Sequence, residues 1–126
     1  MLVHHVHLIF RAKENNPGEL LKSFKTYTSK QVQKVIEENM QESRKEWILW
    51  LMERAGLKNS NVKNRQFWQQ NNKPIGLWSA DVIDQKADYI HNNPVVAGFV
   101  TEPHYWKYSS AIDYSGGKGI LEIDYI

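Results

Sequence analysis

Two small groups of side chains in this sequence have the types and spacing to do chemistry together. His5-Val6-His7 sets two imidazoles two residues apart, so on an extended segment both face one way and can share a divalent ion. Tyr89 and Asn93 are four apart, which makes them neighbours on one face of a helix. A phenol beside a short amide can be a nucleophile held next to a metal ligand, or a core tyrosine followed by a cap. The helix alone does not choose between them, and His-x-His on a strand is by itself weak evidence for a metal.

The elements that must position these groups are legible in outline. Ser79–Pro94 reads as a helix with Ser79 as N-cap, acidic Asp81 and Asp84 near its positive end, and Pro94 as its stop. Ile83, Ala87 and Ile90 form its expected buried stripe. Residues 4–11 alternate in the strand manner, His5, His7, Ile9 and Arg11 on one face and Val6, Leu8 and Phe10 on the other. His4 falls on the face opposite His5 and is not counted as a ligand. Apolar residues on both faces suit a central strand, which needs neighbours to pair with.

Between these groups, Asn15-Asn16-Pro17-Gly18 marks a turn. Leu20, Leu21, Phe24, Tyr27, Val32, Val35 and Ile36 then suit a long helix or two helices, with a break favoured near Thr28-Ser29. A further helix is expected over Gln41–Ala55, ending at Gly56. Lys58–Arg65 is polar and reads as a loop. Phe67–Gln69 and Ile75–Trp78 flank a turn and suggest a short hairpin, and Ile120–Ile126 suggests a final strand or an ordered tail.

Composition narrows the function classes. The 126 residues suit one domain spanning 1–126. The sequence contains no cysteine, hence no disulfide, thiolate metal site or cysteine nucleophile. No apolar run approaches the length of a membrane span and no secretory signal is evident, so a cytoplasmic protein is expected. The net charge of +2 hides an asymmetry: residues 1–65 carry 12 Lys/Arg against 7 Asp/Glu, and residues 66–126 carry 4 against 7. Leu20–Val35 holds Lys22, Lys25, Lys30 and Lys34 with no acid, a mild pointer to nucleic acid, though a solvated helix face explains it as well.

Four segments in the same order carry a family resemblance: Val-His-His-Val-His-Leu-Ile-Phe, Lys-Ser-Phe-Lys-Thr-Tyr-Thr-Ser-Lys, Asp-Tyr-Ile-His-Asn-Asn-Pro-Val-Val-Ala-Gly-Phe-Val and Trp-Lys-Tyr-Ser-Ser-Ala-Ile-Asp-Tyr. Over about residues 3–115 the chain resembles the single-tyrosine HUH transposases, closest to the REP-associated tyrosine transposase branch. The resemblance implies an α+β, ferredoxin-like (RRM-like) HUH nuclease domain with helices on a small antiparallel sheet. The family places a strand–helix–strand unit ahead of its HUH strand, so the expected domain is partial, truncated at the N-terminus. Val3 and His4 stand where the family usually has Pro and Asn.

The implied activity is nicking and rejoining of hairpin-bearing single-stranded DNA through a 5′-phosphotyrosine. Tyr89 matches the nucleophile. His5 and His7 match the HUH pair, which with Asn93 would hold Mg²⁺ or Mn²⁺. Lys22, Lys25 and Lys30 would contact hairpin phosphates, and His91 reads as structural or DNA-facing. Trp68, Trp78 and Trp106 can stack on bases or complete a small core. The implied assembly is a homodimer. A relative that grips hairpin DNA without cutting it, and a metal-binding structural domain without a nucleic-acid role, are the rival classes.

Overall fold

The computed structural model describes residues 5–126; His4, the first residue of the expected strand, and Val3 lie outside them. Phe10–Lys73 forms one compact unit, and the described residues 5–9 with Pro74–Ile126 form another.

In the first of these, helix α1 spans Pro17–Glu38. The Asn16 side chain caps it by accepting the Glu19 N–H at 3.2 Å. Pro17 sits in the first turn, where a missing N–H costs no helix bond. Asn15 reaches the cap with φ +58°, a conformation asparagine tolerates better than most residues. The break expected at Thr28-Ser29 does not occur. Thr28 donates its hydroxyl to the Phe24 carbonyl at 2.7 Å and accepts the Trp68 indole N–H at 2.9 Å. Ser29 accepts from the Gln33 amide at 2.9 Å. Both hydroxyls are bonded within or onto the helix, so neither is free to re-cap it.

Helix α2 spans Lys45–Leu57 and packs against α1. Arg65, from the loop that follows, reaches Glu37 on α1 and lies 3.3 Å from Glu53 on α2, tying the two helices together. Gly56 does not end α2 but lies buried within it. A Cβ there would overlap the Asn64 carbonyl oxygen and come within 3.2 Å of Val62, so glycine permits a close approach of backbone to backbone. Gly56→Ala is expected to destabilise the protein by roughly 1–3 kcal/mol through overpacking. The measurement is a lowered urea midpoint at unchanged slope.

In the other unit, helix α3 spans Ala80–Val96 and packs on a 3₁₀ turn at Pro103–Tyr105, against which the single-turn helix α4 (Ala111–Tyr114) also packs. Ser79 caps α3, accepting the Val82 N–H at 3.4 Å. Pro94 does not stop the helix. It lies in the last turn, where only one i→i−4 bond is lost. Termination falls to Gly98 at φ +81°: Phe99 N–H bonds Pro94 O at 2.9 Å and Gly98 N–H bonds Val95 O at 3.0 Å, a Schellman closure. Ile83, Ala87 and Ile90 are half-buried, while Ala111, 5% exposed, is the apolar residue most completely enclosed among the described residues.

The ferredoxin-like α+β expectation is overturned: the described residues contain helices and no strand, hence no antiparallel sheet. Residues 5–11, 67–69, 75–78 and 120–126 are all irregular. Period-two alternation tells which way side chains face but not what the backbone pairs with, and a ladder exists only between two segments. No backbone–backbone hydrogen bond joins residues 5–11 to any other described segment, and Val6 and Leu8 stay exposed. The tail at 120–126 is instead pinned to α4, with the Ile126 N–H donating to the Tyr114 hydroxyl at 3.2 Å. Among the described residues no helix is long and apolar enough to cross a membrane.

Candidate active site

His5 and His7 stand two residues apart on an exposed, irregular segment, their ring centroids 6.4 Å apart and their planes 28° from parallel. Tyr89 projects from the middle of α3 with 57% of its surface open. Its ring meets His7 edge-on, centroid to centroid 5.8 Å at 87°. Residues far apart in sequence thus converge: an accessible phenol beside an accessible imidazole. Asn93 follows one turn along α3, half-buried, its carbonyl accepting the Ala97 N–H at 2.9 Å.

His91, two residues from Tyr89, turns away from this pair. Its Nε2 lies 2.8 Å from the Ser110 hydroxyl and its ring packs on Tyr114 at 5.1 Å. Burial pushes its imidazole below the ordinary histidine pKa, against the opposing pull of Asp88. It fastens α3 to α4.

The two imidazoles suit a divalent ion in kind. Two imidazoles in adjacent positions on one ion put their centroids roughly 4.5–5 Å apart, given a metal–nitrogen bond of about 2.1 Å. The 6.4 Å pair must therefore converge by side-chain rotation, which its exposure permits. No cluster of three or more His, Asp or Glu able to hold an ion occurs among the described residues. The other coordination positions would fall to water or to other oxygen donors.

The expected lysines divide. Lys22 and Lys30 share one face of α1 and border a shallow groove with Glu19, Ser23, Thr26 and Tyr27. Lys25 turns elsewhere, donating to the Gln69 carbonyl and the Asn72 side chain, both at 2.6 Å, with its ammonium 6.0 Å from the Trp68 ring. It ties the 69–72 segment to α1. The tryptophans divide as well. Trp68 packs between Phe24 and Phe67, and Trp106 between Phe99 and Tyr108. Trp78 is 88% exposed. Trp50, which sequence reasoning passed over, is 46% exposed and carries the Arg54 guanidinium 4.9 Å from its ring centroid. The Trp-x-x-x-Arg spacing on a helix was the signal that could have found it.

Compared with protein-family models, curated proteins and solved structures, the chain has no significant match.

Proposed function

We propose that this chain is a single-tyrosine HUH transposase relative that nicks and rejoins hairpin-bearing single-stranded DNA. The observation that carries the reading is the approach of His7 to the exposed Tyr89, ring to ring at 5.8 Å. The reading rests on this site and not on the family's sheet. The Tyr89 oxygen attacks the scissile phosphorus and its proton passes to water. The bond from phosphorus to the 3′ oxygen breaks, that oxygen takes up a proton, and a 5′-phosphotyrosine remains. Attack by a 3′-hydroxyl reverses the step without ATP, since the ester conserves the energy of the cut. His5, His7 and Asn93 would hold Mg²⁺ or Mn²⁺, which supplies charge stabilisation at the phosphate. The protein acts in the cytoplasm as a homodimer.

The test is denaturing electrophoresis of the protein mixed with labelled hairpin DNA and Mn²⁺. A shifted, protease-sensitive band is expected. Salt-dependent binding without that band would leave the rival reading, a hairpin-binding module that does not cut, which the wide spacing of the two imidazoles favours.

The DNA grip is assigned to Lys22 and Lys30. Each phosphate contact on a single strand contributes roughly 0.7 to the slope of log affinity against log salt. Lys22→Ala and Lys30→Ala should each lower that slope by about this amount, measured by fluorescence anisotropy across a salt series. An unchanged slope in the double variant would remove both from the interface.

A further inference from the structure

Helix α2 and the loop after it enclose an open pocket of about 760 Å³, bordered by Trp50, Arg54, Lys58, Asn59, Gln66 and Gln70. This lies within the range that accommodates small organic ligands. Trp50 sits off the half-buried Ile48–Met52–Ala55 stripe of α2, so its exposed indole is not part of that packed face. Arg54 lies one turn further along, its guanidinium over the ring at 4.9 Å. Indole and guanidinium are both planar surfaces on which a base can stack.

The charges around the platform favour an anion. Of the two acids on α2, Glu53 is engaged by Arg65 at 3.3 Å, and Glu46, one turn before Trp50, does not line the pocket. Neither Arg54 nor Lys58 has an ion-pair partner among the described residues. Three carboxamides complete the rim. Asn59 donates to the Gln66 side-chain oxygen at 3.2 Å, so the Gln66 amide nitrogen is not used in that bond. Side-chain amides match the paired donor and acceptor on a base edge. Platform, cations and amides in one open pocket are the complement of a nucleotide whose base is unpaired.

We infer that this pocket binds one unpaired base of single-stranded DNA, with Trp50 and Arg54 stacking on it and Lys58 facing its phosphate. The inference rests on the nucleic-acid reading above and adds a contact remote in sequence from Tyr89.

The experiment measures anisotropy of two labelled hairpins, one blunt and one with a short unpaired tail, against the full chain at fixed salt. Removing a stacking ring costs roughly five- to hundredfold in affinity. Trp50→Ala should therefore lose about tenfold or more on the tailed hairpin and nothing on the blunt one. An abasic substitution at one tail position should cause the same loss and add nothing to that of Trp50→Ala. In case that variant folds poorly, Arg54→Gln tests the same platform. A 5-iodouracil tail crosslinked to the wild-type protein should attach to the peptide containing Trp50.

If the tail strengthens binding but neither variant nor abasic site matters, and crosslinks map elsewhere, the pocket assignment is overturned while DNA binding stands. If a free deoxynucleoside monophosphate competes as tightly as the tail, the occupant is a mononucleotide and the DNA assignment fails. If neither hairpin binds, the functional reading falls and the pocket's assignment falls with it.

Discussion

Tyr89→Phe is expected to abolish the covalent protein–DNA adduct, a loss of roughly 10³-fold or more, since removing a nucleophile removes the step itself. Hairpin affinity should stay within about twofold, because only one oxygen of a largely exposed side chain disappears. The ring remains, so its edge contact with His7 at 5.8 Å survives and the helix is undisturbed. That separation makes the variant informative: a fold defect would lower binding and adduct together, whereas loss of the nucleophile lowers adduct alone. The readout is adduct yield on a denaturing gel beside anisotropy on the same preparation. Equal adduct in wild type and variant would take Tyr89 out of the chemistry and point to another tyrosine or serine.

The second large effect concerns the imidazoles. His5→Ala and His7→Ala should each lower adduct yield by roughly 10²-fold, the scale of several kcal/mol that electrophilic stabilisation at a phosphate provides. EDTA should bring the wild-type protein to the same level, and the variants should respond little to added Mn²⁺. His7→Ala should be the more damaging, because His7 also contacts Tyr89 whereas His5 meets only His7 among the described rings. A titration of adduct against Mn²⁺ checks this. Wild-type Mn²⁺ dependence in both variants would show that the pair holds no metal.

The contrast between the lysines shows how spacing misleads when packing is unknown. Lys22, Lys25 and Lys30 look equivalent along the chain. Only the 69–72 segment, folding back onto α1, turns Lys25 from a surface cation into a strut. The same return brings Trp68 to Thr28 and so removes the reason for a break in α1. Trp50 is a different case: its i,i+4 spacing to Arg54 is local, but that its indole stays exposed beside the packed stripe of α2 is a property of packing.

The sequence by itself determined where α3 begins and that helices occupy most of 17–38 and 45–57, while the start of α2, expected at Gln41, falls at Lys45. The caps at Asn16 and Ser79 and the i→i−4 bonds of α1, α2 and α3 involve residues within one turn of each other, so the information is local. It also placed Tyr89 and Asn93 on one helical face and His5 and His7 on one side of an extended segment. The tertiary structure decided the rest. Whether an alternating segment becomes a strand depends on a partner that its own residues do not specify, and here residues 5–11 pair with no described segment. Gly56 serves a close approach of Asn64 that no local pattern announces. The meeting of His7 with Tyr89 is likewise a property of packing, because side chains far apart in sequence share no local geometry until the chain between them has folded.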